Sequence, residues 1–286
     1  MRRIAFLTLG ERGDFVIDDE LAVAPLARRG FAVETIPWNQ PGVSWKRYEL
    51  IVIRSTWDYQ HHAEAFLRIL AAIERATRLC NSLAIVRWNM QKRYLRELAA
   101  KGVPTVPTIW RERLAPGELL PLVDETGSDE AVIKPVMSAN AQGAWRLDHA
   151  RARALRDEIE AYYADRPLMM QPFEPAIPAE GEFSLIYFGG RLSHAIRKLP
   201  KAGDFRVQEE HGAEILAVTP EPALRAAGDA AMAAIGETLL YGRADLVRHG
   251  TGFRLMELEL VEPALYLRMD PGAPDRFADC VSALLG

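Results

Sequence analysis

The run Phe253–Val261 constrains the fold of this chain more than any other stretch. Apolar and β-preferring residues dominate it, and turn residues bound it, with Gly250 and Gly252 before and Pro263 after, so it reads as a strand. Alternation of side chains puts Glu257 and Glu259 on one face, about 6–7 Å apart along the strand. Upstream, Asp245 lies in a second strand-like run, Gly242–Val247, that can pair with the first as a hairpin. The three carboxylates then converge on one patch, and hard oxygen ligands of this kind suit Mg²⁺. An antiparallel strand with its polar face in water accounts for the two glutamates as well. The rest of the chain has to decide.

With 286 residues, 49% of them hydrophobic, the chain can bury one large core or two to three smaller ones. A net charge of −4 leaves no basic footprint for nucleic acid. The apolar run after Arg3 ends at Leu9, too short for a signal peptide or a membrane span, so a cytoplasmic protein without membrane partners is expected. Cys80 and Cys280 lack metal-type spacing, and only His61 and His62 adjoin among the histidines, which argues against zinc.

Residues 4–9, 31–36 and 50–53 read as buried strands, with Asp18 and Asp19 capping a helix that reaches Arg29 and stops at Gly30. Strand–helix–strand order with short connections argues for a small doubly wound α/β unit. Arg54, Ser55, Thr56, Trp57, Asp58 and Tyr59 follow the third strand directly, where ligands bind in open α/β sheets. Arg54 there suits a carboxylate. Equally, Thr56 or Asp58 can simply cap the next helix, from about His62 to Arg75.

Residues 88–101 read as one helix ending at Gly102, on which Lys92 carries no signal of its own. The apolar strand 131–135 holds Lys134 near its end. The loop that follows, Ser138 to Gly143, has side chains small enough for its backbone N–H groups to approach phosphates. Asp148 to Ala164 reads as a solvated helix. Residues 167–174 form an apolar strand that breaks at Pro172 and offers the kind of slot adenine needs. Residues 182–188, Gly189, Gly190 and residues 191–197 read as a β-hairpin. Arg197, Lys198 and Arg206 gather positive charge near the carboxylates, or else make a basic edge that resists aggregation. Residues 221–240 form an alanine-rich helix set to pack on the sheet.

Taken in order, Lys92, Lys134, the small-residue loop, Gln171, Arg197, Arg206, Asp245, Glu257 and Glu259 resemble the ATP-grasp superfamily. The likeness is to its prokaryotic glutathione-synthetase-like branch, in the group that includes D-cycloserine synthetase, an O-ureidoserine cyclo-ligase. Residues 54–59, 87–89, 92–95 and 203–208 carry it, and it covers nearly the whole chain. The fold implied is α/β: an N-terminal α/β substrate domain (1–86), a mobile α+β lid (87–170) and a C-terminal antiparallel-sheet grasp domain (171–286).

The resemblance implies Lys92 and Lys134 on ATP phosphates, with the loop from Ser138 to Gly143 closing over them. It implies Gln171, Pro172 and Phe173 against adenine and Glu182 on the ribose. Asp245, Glu257 and Glu259 would hold two Mg²⁺ ions, with Glu257 bridging. Arg206 would stabilise an acylphosphate, with Lys134 and Arg197 as further catalytic cations, and Arg54, Ser55, Thr56 and Asp58 would bind substrate. Glu259 stands where glutathione synthetases often have Asn, and the loop has fewer glycines than in many relatives.

The activity implied is ATP-dependent joining of a small carboxylate to an amine through an acylphosphate, releasing ADP and phosphate. The same site would serve an intramolecular cyclo-ligase, or, with its chemistry lost, an ATP-binding partner protein. A protein base is not required, though His194 and Glu262 are available. Partners expected are small-molecule carboxylate and amine substrates, with a homodimer as an option.

Overall fold

The computed structural model describes residues 1–138 and 141–286. Ala139 and Asn140, in the expected phosphate loop, lie outside the described residues. Strands β1 (Arg2–Thr8), β2 (Phe31–Pro37), β3 (Leu50–Ser55) and β4 (Arg78–Cys80) make a parallel sheet in the order β2-β1-β3-β4. Helices α1 (Val23–Arg28) and α2 (Ala63–Ala76) flank it, and Phe66, Leu70 and Ile73 of α2 are buried against Ile51 and Ile53. This is the doubly wound unit the sequence predicts. The expected cap at Asp18 and Asp19 is not formed. Asp18 instead accepts from the backbone and guanidinium of Arg268, and Asp19 accepts from Arg54.

The expected helix over 88–101 is two shorter ones, α3 (Leu83–Asn89) and α4 (Tyr94–Ala100). Ser82 caps the first by accepting from the Ile85 N–H. Asn89 interrupts the run, because its side-chain amide bonds sideways to the Leu258 carbonyl and the Leu260 N–H, both at 2.8 Å. Lys92 falls in the break, its own N–H donated to the Val136 carbonyl.

A second, antiparallel sheet in the order β5-β8-β6-β7 comprises β5 (Ile109–Arg111), β6 (Ala131–Pro135), β7 (Trp145–Leu147) and β8 (Leu168–Pro172). Helices α5 (Leu119–Glu125), α6 (His149–Ala154) and α7 (Arg156–Tyr162) cover one face through Leu122, Ala152 and Ile159. The expected continuous helix from Asp148 is thus broken in two, with Asp148 capping the first piece. The short helix α8 (Ala176–Ala179) leads into the third sheet.

That sheet is antiparallel, in the order β11-β10-β9-β12-β13, from β9 (Glu182–Phe188), β10 (Arg191–Leu199), β11 (Glu214–Val218), β12 (Tyr241–His249) and β13 (Gly252–Glu259). Gly189 and Gly190, both at positive φ, turn the β9–β10 hairpin. Helix α9 (Pro222–Ala233) packs on one face beside Leu185, Tyr187 and Ala244. Helix α10 (Ala273–Leu285) packs on part of the other face, where Phe277 meets Phe188 and also Phe6 of β1.

The register of β12 against β13 slips between Asp245 and Leu246, so one extra residue of β13 bulges out. Phe253 and Leu255 face the core before the bulge, and Leu258 and Leu260 face it after. Met256, Glu257 and Glu259 are thereby left on the cleft side.

Tyr241 ties two of the sheets together. Its buried hydroxyl lies 2.7 Å from the Ile53 carbonyl and 2.8 Å from the Val261 carbonyl. Tyr241→Phe leaves those carbonyls without this donor and is expected to cost about 1–3 kcal/mol. A thermal melt showing no loss of stability would contradict this role.

Candidate active site

A cleft of about 230 Å³ opens between the β6–β8 sheet and the β9–β13 sheet. Strand alternation supplies most of its charged lining: Lys134 from β6, Gln171 from β8, Glu182 from β9, Lys198 from β10, Arg243 and Asp245 from β12, and Glu257 and Glu259 from β13. Lys92 enters from the α3–α4 break. Residues far apart in sequence meet here because a five-stranded sheet and a four-stranded sheet face one another across the cleft.

Glu182, Asp245, Glu257 and Glu259, the cleft-facing acidic groups of the sheet, are each matched to a cation. Lys92 Nζ lies 2.8 Å from Glu257 and also donates to the Ser138 carbonyl at 3.1 Å. Arg243 bridges Asp245 at 2.9 Å and Glu259 at 2.5 Å. Lys198 pairs with Glu182 at 2.5 Å and lies 3.4 Å from Asp245, which also accepts from the Ser184 hydroxyl.

The protonation tendencies follow. Burial pushes the Asp245 carboxyl up, but Arg243 and Lys198 together hold it below the ordinary range. Glu257 is likewise lowered by Lys92 and Lys134 against the cost of burial. Lys134 makes no ion pair among the described residues, and burial lowers its pKa against the pull of Glu257. Burial, with repulsion from Asp245 and Glu257, raises Glu259 to about 7 despite Arg243. Burial and Glu259 raise Glu262 to about 8.

Lys92, Lys134, Ser138, Gln171, Pro172, Phe173, Glu182, Arg206, Asp245, Glu257 and Glu259 all line this one cleft. Some contacts differ from those the sequence suggests. Glu182 is engaged by Lys198, and the Arg206 guanidinium is folded onto Asp204 rather than onto the carboxylates. Gly143 is not part of the lining. Its carbonyl accepts from the Tyr163 hydroxyl, and a side chain there would collide with Tyr162. Arg197 also drops out, because it alternates with Lys198 and points to the other face of β10.

The cluster after β3 divides in the same way. Arg54 is 2% exposed and committed to Asp19, to the Pro263 carbonyl and to the ring face of Tyr241. Ser55 bonds Thr8, Asp58 accepts from the Trp38 indole, and Thr56 is fully buried. None of the four faces the cleft, because the strand end is sealed by the chain after β13. Their neighbours Trp57 and Tyr59 do face it. His194 shares the face of β10 with Lys198 but sits further along the strand, outside the lining, with Nε2 against the Leu265 and Tyr266 carbonyls, so it is not a base for this cleft. Of the charged lining residues, Arg243 is one that sequence reasoning left out, while Lys198, Trp57 and Tyr59 were named there only as members of wider clusters. Arg243 was legible in principle, two residues from Asp245 and therefore on its face.

The three β12–β13 carboxylates have the right donor chemistry for Mg²⁺. As the side chains stand, no three acidic, His or Cys groups among the described residues are close enough to share an ion, since cations lie between them. Burial and the mutual repulsion of Asp245, Glu257 and Glu259 are costs that a divalent ion would offset, so the residues fit such an ion chemically.

Two facing sheets around a cleft of paired lysines and carboxylates define an ATP-grasp enzyme. The comparisons agree. A family described as the N-terminal domain of D-cycloserine synthetase DcsG matches residues 4–81. The cycloserine biosynthesis protein DcsG of Streptomyces lavendulae is 30% identical over 274 residues, covering 90% of each chain. The crystal structure of D-cycloserine synthetase DcsG superposes with a TM-score of 0.86 at 29% identity, over 99% of this chain and 100% of that one. The ATP-grasp ligase PsnB, solved with a minimal precursor, Mg and ADP, shares the fold with a TM-score of 0.65 at 15% identity, over 99% and 98% of the two chains. This chain belongs to the D-cycloserine synthetase family of ATP-grasp ligases.

The raised carboxyl of Glu262 makes a prediction about the free protein. Unfolded, it ionises near 4.5; folded, it keeps its proton until about 8. The folded state therefore binds more protons across that window, and this group costs stability as pH rises through it. Glu262→Gln should melt higher than the parent at about pH 9, with the gap closing towards pH 4.5. A variant that melts lower at the alkaline end would contradict the assignment.

Proposed function

We propose that this protein joins a small, amino-acid-like carboxylate to a nitrogen nucleophile at the expense of ATP, through an acylphosphate and with release of ADP and phosphate. The observation that carries this reading is the convergence of Lys92, Lys134, Lys198 and Arg243 on one cleft, interleaved with Asp245, Glu257 and Glu259. Cations gathered so closely suit a polyanion, and Lys134, buried and least compensated by carboxylates, is the group with most to gain from a phosphate. Gln171, Pro172 and Phe173 offer the neighbouring slot for the base. Asp245, Glu257 and Glu259 would hold Mg²⁺, which would supply charge neutralisation at the phosphates.

In such a site catalysis is mostly positioning and electrostatic stabilisation. Lys92 is held to Glu257 and Arg243 to Asp245 and Glu259, so each cation has a fixed place before the reactants arrive. Attack by the substrate carboxylate on the γ-phosphorus brings two negatively charged groups together, and these cations offset that repulsion. The 30% identity to a D-cycloserine biosynthesis protein favours a specific version, in which carboxylate and nitrogen belong to one molecule and the product is a ring.

Two measurements test the reading. ADP release screened over amino acids and small carboxylates, singly and in pairs, should find activity with a single compound if the enzyme closes a ring and only with pairs if it does not. Glu257→Gln should lower Mg²⁺-dependent turnover by about 10²–10³ or more, since a preorganised charge is replaced by a neutral amide. Near-parental ADP release by that variant would refute the metal role.

A further inference from the structure

One wall of the cleft is not used by the phosphate chemistry. Glu262 lies in the turn just after β13 and is fixed twice by the loop after β3: Trp57 Nε1 donates to its backbone carbonyl at 2.8 Å, and the Tyr59 hydroxyl bonds its carboxyl. All three residues line the cleft. Asp245, Glu257 and Glu259 each have a lysine or arginine within ion-pairing distance, whereas Glu262, among the described residues, has none. A carboxylate offers about four acceptor positions and Tyr59 fills one. Facing the cleft, the remaining positions are open to a ligand group that is positive or rich in N–H groups.

We infer that Glu262, with Tyr59, forms the subsite that binds the nitrogen-bearing end of the substrate. Glu262 has no ion-pair partner among the described residues and favours the nitrogen end of an amino-acid-like molecule, whereas Lys134, also without an ion-pair partner among them, favours its carboxylate and the phosphates. The ligand class is a short molecule carrying a carboxyl-derived group and an ammonium, amide or urea nitrogen. This inference rests on the ligase reading and adds to it the wall that receives the nitrogen.

D-cycloserine, which carries both an amine and a ring N–H, serves as the probe. It is titrated calorimetrically into the full chain with Mg²⁺ and ADP present, for the parent, Glu262→Gln, Glu262→Asp and Tyr59→Phe. A non-hydrolysable ATP analogue is titrated into the same four proteins. Loss of a hydrogen bond to a charged group should weaken D-cycloserine by about tenfold or more in Glu262→Gln. Glu262→Asp should recover part of that loss, Tyr59→Phe should lose less, and analogue affinity should be unchanged in all. Equal D-cycloserine affinity in the parent and Glu262→Gln, or no binding to a parent that does bind the analogue, overturns the inference and leaves the ligase reading standing. A parent that binds no analogue overturns both.

Discussion

The Arg243 guanidinium is the contact on which the cleft depends. It is buried between Asp245 and Glu259 and also donates to the Ala264 carbonyl. Without it, Asp245, Glu257 and Glu259 could not share one face at strand spacing in a partly dry cleft, since like charges so placed raise one another's pKa. Burying the cluster is no simple gain in stability, because desolvation costs several kcal/mol per ion and only close geometry offsets it. What the cluster secures is placement. Cations and carboxylates are held alternately before any ligand arrives.

That alternation gives the cleft two states of charge. In the free protein Lys92 faces Glu257, and Lys198 faces Glu182 and Asp245. A nucleotide with its metal brings both signs, so lysines can turn to phosphates while carboxylates turn to the ion, at little net cost in unpaired charge. The bulge in β13 is the backbone device behind this, because it carries Met256, Glu257 and Glu259 to the cleft while Leu255 and Leu258 stay in the core.

Much of this was legible in the sequence, for identifiable reasons. The Glu257–Glu259 strand, its pairing with the Asp245 strand and the Gly189–Gly190 hairpin follow from local periodicity and turn chemistry, which tertiary contacts did not override. Three features were not legible. Asn89 breaks a helix through bonds to β13, some 170 residues away, which no local pattern reveals. Arg54 stands where a substrate ligand should be, yet the chain at Pro263 folds over it and turns it into a structural ion pair with Asp19. The choice between Arg197 and Lys198 rests on a single step of strand phase, which the hairpin irregularity near Leu192 shifts.

The central claim is that the cleft activates a carboxylate as its acylphosphate. The most direct test follows an oxygen atom. A turned-over substrate labelled with ¹⁸O in its carboxylate should transfer one labelled oxygen to inorganic phosphate, because that oxygen attacks the γ-phosphorus and later leaves with it. Label in phosphate, with ADP as the nucleotide product, is the result predicted. Unlabelled phosphate, or label appearing in AMP alongside pyrophosphate, would contradict the account.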